Sequence, residues 1–431
     1  LFILIGIISL VLGLITGRDL FYNMFYLVGV ILILSFFWTW ISVSTVRISR
    51  RTRSRRSSVG KLAEESFSVT NTGFLPKVWL EVHDHSSLPM HHVSQVMNAL
   101  APKRRRHWAI RTICRKRGLF TLGPLTLASG DPLGLFALKR EIKATSNIVV
   151  YPAVLPIPSF VPPLGRLPGG DAVRQRTHYI TTNVSGVRDY EPGDSFSRIH
   201  WRSTARTGRL ISKEFELDPT ADIWLFLDMQ EQVQHSLPFS IEDQEDPWIA
   251  ILRGRSRSEI ELDPATEEYV VTIAASVAQH FVHRDRAVGM VAYGHTREVL
   301  QPDRGHRQLT KVLETLAMLR AEGEIPLAQV LLSEGERLGR GVTLVVITPS
   351  LDRMWVAATR DLSRRGVRMV AIVVDPESFG GAGSAEDIIG ELQVSSVPAY
   401  LAREGDDLTR ALSQQTSFGR GSLARANVAA S

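Results

Sequence analysis

Ile223-Trp-Leu-Phe-Leu-Asp228 is a run of five apolar residues closed by a carboxylate, and it decides how the C-terminal half is read. A short, unalternated run of bulky apolar residues predicts a strand buried on both faces. The same texture returns at Ala287-Val-Gly-Met-Val-Ala-Tyr293, Val342-Thr-Leu-Val-Val-Ile-Thr348 and Val367-Arg-Met-Val-Ala-Ile-Val-Val374. Helical spacing fills 267–283, 305–320 and 355–365 between them. Strands alternating with helices of this length predict an α/β unit, a mostly parallel sheet with helices on both faces.

Immediately upstream stands a dense polar motif, Gly186-Val-Arg-Asp-Tyr-Glu-Pro-Gly-Asp194, followed by Arg198-Ile-His-Trp201 and Thr204-Ala-Arg206. Pro192 presets φ for a turn and Gly193 supplies the positive φ of its type II form. Asp194 is expected to cap a helix over 195–206 that Gly208 ends, with a strand at 210–215. Gly186, Arg188, Tyr190, Pro192, Gly193, Asp194, Arg198, His200, Trp201 and Arg206 are the candidate functional residues. Two roles stand open for them. One is structural or partner-binding, favoured because no nucleophile or metal cluster accompanies the set. The other is a hydrolase or ligand site, with His200 as general base oriented by Asp189 or Asp194 and Arg188 holding an anion.

The N-terminus predicts a membrane anchor. Residues 1–16 and 20–46 carry no charge, and as helices they reach about 24 and 40 Å against a hydrocarbon core of about 30 Å. Gly17-Arg-Asp19 between them is too short for anything but a turn, so 1–46 is expected to be a transmembrane helical hairpin. A cleaved signal peptide competes with this reading, but the long second segment argues against it. Arg47, Arg50, Arg51, Arg53, Arg55 and Arg56 follow with no intervening acid, which predicts that the soluble part is cytoplasmic and the protein multi-pass in the cell membrane. The 50 basic and 44 acidic residues leave a formal charge of +6. Those six arginines account for it, so the basic balance is a membrane signature and not a sign of nucleic acid. The lone Cys114 excludes an intrachain disulfide.

Residues 57–150 read as a small β-sandwich domain. Ser66-Phe-Ser-Val-Thr70 alternates, Val78-Trp-Leu-Glu-Val82 and Trp108-Ala-Ile-Arg-Thr-Ile113 are strand-like, and Gly118, Gly123-Pro124 and Gly130-Asp-Pro132 break the pattern. Six prolines between Pro152 and Pro168 mark 151–176 as a linker. The motif and the α/β unit then occupy 177–417, and the Gly-, Ser- and Ala-rich 418–431 is expected to be a disordered tail. An insert at 233–262 follows the first α/β strand, either an interaction loop or a disordered insertion.

The 186–206 motif resembles the signature of the bacterial domain of unknown function 58 family. So do Arg117-Gly-Leu-Phe-Thr-Leu-Gly-Pro-Leu-Thr-Leu127, Asp131-Pro-Leu-Gly-Leu-Phe136 and the paired apolar segments. A first strand ending in Leu-Asp also looks like a von Willebrand factor A-like domain. In that family Asp-x-Ser-x-Ser, with a distant Thr and Asp, holds a divalent metal. Here Asp228-Met-Gln-Glu-Gln232 lacks both serines and the third strand ends in Thr348-Pro-Ser350. Asp228 is therefore expected to be the remnant of a lost site, because a hard cation needs several oxygen ligands. The stripped metal site points to an interaction or assembly module with no reaction of its own and no cofactor, and the resemblance implies a MoxR-type AAA+ ATPase as its partner.

Other chemistry is thin. No Walker loop, His-Glu-x-x-His, Gly-x-Ser-x-Gly or Cys-x-x-Cys occurs. Gly380-Gly-Ala-Gly383 lacks the context of a nucleotide loop and reads as a flexible loop. His83, Asp84, His85, His91 and His92 cluster in sequence, but the stretch between them reads as a loop and not as a metal-binding strand face. Lys103 to Arg106 with Arg111, Arg115, Lys116 and Arg117 form a basic patch suited to acidic lipid or a neighbouring protein.

Overall fold

The computed structural model describes residues 2–91, 93–158, 160, 184–191, 196, 199–215, 222–239 and 262–416. They form two compact units, Leu1–Val154 with Pro238–Asp263 and Leu313–Leu319, and Leu155–Leu237 with Pro264–Val312 and Arg320–Ser431.

The first unit opens with helices α1 (Phe2–Thr16) and α2 (Asp19–Ser44). They run antiparallel, and the side chains α1 buries are small: Gly6, Ser9 and Gly13. A Cβ at Gly6 would lie 3.3 Å from Val28 Cγ1, and one at Gly13 3.3 Å from Tyr22 Cε1. Ile3, Leu4, Ile7, Leu14, Leu27 and Ile33 point outward. Small residues inside and large apolar ones outside reverse the pattern of a water-soluble helix pair and match helices packed in lipid. Of the two, α2 is long and apolar enough to cross a membrane; α1, at 15 residues, is shorter than a full span.

Thr45 alone separates α2 from β1 (Val46–Thr52), so the β domain starts against the helix and ahead of residue 57. Strands β3 (Leu62–Asn71) and β6 (Arg105–Ile113) complete a three-stranded sheet with β1. Strands β4 (Lys77–Asp84), β5 (Gln95–Leu100), β8 (Leu125–Gly130) and β9 (Ala137–Ile142) form a second, ordered β5-β4-β8-β9. Phe67, Val69, Leu80, Val82, Met97, Leu125 and Leu127 from the two sheets share one core, which makes the pair a sandwich. A third sheet pairs β2 (Arg56–Ser58), β10 (Ser146–Tyr151) and β7 (Gly118–Leu122).

Strand alternation drives one charge into this domain. Along β3 the inward register is Ala63, Glu65, Phe67 and Val69, so Glu65 must be paired or pay the cost of an isolated buried charge. Arg50 Nη2 meets its Oε2 at 2.6 Å, Thr52 Oγ1 donates to Oε1 at 2.8 Å, and His91 Nε2 lies 3.0 Å from Oε2. Arg50 also reaches Asp84 Oδ1 at 3.2 Å and Ser86 Oγ at 3.0 Å. Burial pushes the Glu65 carboxyl up, but the hydrogen bonds from His91 and Arg50 outweigh it and hold the pKa at about 2. One expectation changes here. Arg50 is a core side chain, not a membrane-facing charge, whereas Arg47, Arg51, Arg53, Arg55 and Arg56 are exposed. The histidines also diverge: His83 goes to Glu81, His85 to Thr126 and His91 inward to Glu65, and His92 lies outside the described residues.

In the second unit, β11 (Val184–Asp189) and β12 (Ile211–Phe215) pair antiparallel with the short helix α3 (Trp201–Thr207) between them in the chain. A six-stranded sheet follows, built from β13 (Ile223–Leu227), β14 (Val288–Tyr293), β15 (Arg297–Asp303), β16 (Thr343–Thr348), β17 (Arg368–Val374) and β18 (Ala399–Ala402). Its order is β15-β14-β13-β16-β17-β18, with β15 antiparallel and the rest parallel. Helices α4 (Thr266–Val282), α5 (Gly305–Met318), α6 (Leu327–Gly335), α7 (Arg353–Arg364), α8 (Glu386–Val394) and α9 (Leu408–Ala411) connect these strands. Phe226, Leu344, Val346, Ala371 and Val373 pack with Leu331 of α6, Trp355 of α7 and Ile388 of α8. The alternate strand residues therefore face the other way, where α4 contacts β13, β14, β16 and β17. This mixed sheet is consistent with a von Willebrand factor A-like core. The predicted 418–431 tail and most of the 233–262 insert and 151–176 linker fall outside the described residues; within the linker, Phe160 packs against Phe281 and Tyr400.

Candidate functional site

The polar motif forms a small β-α-β module. Ser212 sits opposite Arg188 in the β11–β12 register, Tyr190 N donates to Leu210 O at 2.9 Å, and His200 N donates to Ile211 O at 2.8 Å. Ile199, Ile211 and Ser212 are buried. The helix starts at Trp201, later than the sequence predicts, and its cap is His200, whose Nδ1 accepts from Ser203 N at 3.2 Å. Gly208, at φ 69°, closes it as expected. Pro192, Gly193, Asp194 and Arg198, and with them the expected Pro-Gly turn, lie outside the described residues.

Of the other described motif side chains, Arg188 and Tyr190 are half-buried, and Trp201 and Arg206 turn outward. Arg188 lies 3.7 Å from Glu191, with the two side chains 38% and 79% exposed. Asp189 and Arg209 approach to 4.0 Å at the surface, and Arg206 is exposed. Around them the module shows apolar surface to solvent: Trp201 is 64% exposed, Phe196 71%, Val187 48% and Leu210 42%. Tyr190 leans on Phe196 with ring centroids 6.2 Å apart. Sequence reasoning passed over Phe196, Ser203 and Leu210. Apolar residues inside a polar motif were the available signal, but which face they take depends on how α3 lies on the strand pair.

The second candidate lies at the carboxyl ends of β13 and β16, where the strand order reverses and folds of this kind bind ligands. Asp228 is buried there, 2% exposed. Its Oδ2 accepts from Thr348 Oγ1 at 2.6 Å and its Oδ1 from Gln230 N at 3.2 Å. Burial raises its pKa to about 6, against the opposing pull of those two hydrogen bonds. Ser350 N donates to Thr348 Oγ1 at 2.8 Å, and Gln234 Nε2 to Asp228 O at 3.0 Å. A Cβ at Gly323 would lie 2.1 Å from Tyr293 O and 2.8 Å from Met229 O, so this edge admits only glycine there. Asp375, closing β17, is likewise buried and held by Arg403 at 3.0 Å and by the Ala385 amide.

This arrangement does not fit a divalent cation. Both Asp228 oxygens are spent on protein donors, positions 230 and 232 are glutamines, and no group of three His, Cys, Asp or Glu that could hold a metal ion stands among the described residues. A hard cation needs six or more oxygens. Thr348 and Asp375 repeat the Asp228 pattern of a polar residue closing an apolar strand, a signal that the sequence carried.

Residues 186–246 match the model of a family described as protein of unknown function DUF58. The uncharacterized protein YeaD of Bacillus subtilis is 21% identical over 276 residues, 64% of this chain and 60% of the relative. The chain thus spans about 60% of that relative's length. Among solved structures, the CARDB domain of PF1109 from Pyrococcus furiosus is 15% identical, covering 24% of this chain and 86% of that one at a TM-score of 0.19. The ApaA protein of Bordetella pertussis is 16% identical, covering 25% and 92% at a TM-score of 0.19. The match over the motif supports a distant link to the DUF58 family.

Proposed function

We propose that this protein is a membrane-anchored interaction module that docks a partner through the 187–210 surface and catalyses no reaction itself. One observation carries the reading: a motif rich in charged residues holds its aromatic and aliphatic side chains, Phe196, Trp201, Val187 and Leu210, out in solvent. Exposed apolar patches rimmed by charge mark interaction sites, and aromatic side chains dominate their binding energy. Arg202, Arg206 and Arg209 of the same module are exposed, which suits an acidic partner face. The family resemblance nominates a MoxR-type AAA+ ATPase. In this reading Asp228 is structural, no cofactor takes part, and the soluble units lie in the cytoplasm below a two-helix anchor.

The test is binding of the full-length protein in detergent to a purified MoxR-type ATPase. Phe196→Ala with Trp201→Ala should weaken it about thirtyfold or more, in line with the loss of about 2 kcal/mol or more at a central aromatic anchor. Unchanged affinity in a folded double variant would remove the patch from the interface.

The second reading, a hydrolase, rests on the 2.7 Å approach of Ser203 Oγ to His200 Nδ1. That nitrogen also takes the Ser203 amide, as a helix cap does, so docking remains the preferred reading.

A further inference from the structure

We infer that the loop Asp131-Pro-Leu-Gly-Leu-Phe136 is a second membrane contact, dipping into the lipid beside α2 and seating the β domain directly on the bilayer. The inference rests on the membrane reading of α2 and adds to it.

The depth follows from the aromatic residues of the helix. Tyr22 and Trp40 bracket its apolar middle and stand about 27 Å apart along the axis at 1.5 Å per residue. That separation is close to the hydrocarbon thickness, and Tyr and Trp collect at the two membrane boundaries. Trp40 then marks the boundary nearest the β domain. The loop reaches past it. Pro132 and Leu133 line a groove of about 200 Å³ with Ile31, Leu34, Ser35 and Trp38, and Phe136 packs edge-on against Phe36 at 5.8 Å. Leu34 and Ile31 lie about 9 and 14 Å to the lipid side of Trp40, at and beyond the depth of about 5–10 Å reached by interfacial anchors.

The chemistry of the loop suits this place. Its outward residues are Pro132, Gly134 and Leu133, the last 60% exposed. Its one carboxylate, Asp131, is turned inward and held by Ser35 Oγ at 2.7 Å, Leu133 N at 2.9 Å and Phe136 N at 2.7 Å. An acid near lipid is tolerated when its oxygens are satisfied in this way. The helix end is tied to the same domain, with Lys77 Nζ on Ile41 O at 3.3 Å and Arg140 Nη1 on Ser44 O at 3.1 Å. These bonds fix the depth of the loop relative to α2.

The experiment uses full-length protein in phosphatidylcholine–phosphatidylglycerol vesicles. A polarity-sensitive fluorophore is placed at Leu133→Cys, at Val30→Cys on α2, and at Leu119→Cys on β7; the parent chain, whose Cys114 is buried, is the labelling blank. Nitroxide-labelled lipid should quench the labels at 133 and 30, and aqueous iodide should quench 119 several-fold more strongly than 133. Iodide quenching at 133 equal to that at 119, with 30 still quenched by lipid, would place the loop in water and overturn the inference alone. Iodide access at 30 as well would overturn the membrane reading of α2 and the loop contact with it.

Discussion

At the scale of single residues, two buried carboxylates carry opposite consequences for stability. Glu65 is held at about pKa 2 by its partners, below its unfolded value. Its contribution is present above about pH 4.3 and lost as pH falls toward 2. Asp228, raised to about 6, binds its proton more tightly folded than unfolded. Its contribution is present below about pH 3.9 and lost as pH rises through 6. Asp228→Asn should therefore flatten the stability curve between about pH 4 and 6 and gain about 1–3 kcal/mol at pH 7. Denaturant melts across that range would show it. A loss at pH 7 would mean that the ionised carboxylate has a partner beyond Thr348 and Gln230.

At the scale of elements, α3 is a helix of 7 residues with no buried side chain of its own, so its ends matter more than its packing. His200→Ala removes the acceptor for Ser203 N and should cost about 0.5–2 kcal/mol, as other cap deletions do. His200→Asn, which restores a capping oxygen, should recover most of that loss, as thermal melts of the two variants would reveal. Equal melts for all three proteins would free His200 for a chemical role. The α1–α2 pair follows the same logic, since contact between the two helices depends on Gly6 and Gly13 having no side chain.

At the scale of the molecule, the expected topology places everything after α2 in the cytoplasm. Protease added to intact spheroplasts should leave residues 47–431 uncut, and lysis should expose them. Digestion from outside would reverse the orientation. The arginines still bear on this, but with one fewer surface charge than the sequence suggested, because Arg50 is committed to Glu65 and Asp84.

The apolar strands at 223–227, 288–293, 343–348 and 368–374 were legible because a strand covered on both faces must be apolar throughout, and local composition alone reports it. The helices at 266–282, 305–318 and 353–364 were legible for a similar reason, their apolar face repeating at the helical period. The site was less so. That Asp228 ends a strand can be read from the chain, whereas the hold of Thr348 on its Oδ2 appears only when β13 and β16 lie side by side. Arg50 looked like one more membrane-facing arginine until β1 paired with β3 and set it beside an inward Glu65. The exposure of Phe196 and Trp201 likewise needed the β11–α3–β12 packing. Periodicity belongs to one segment and survives in sequence, but hydrogen-bond partners and exposure are relations between distant segments, and only the tertiary structure decides them.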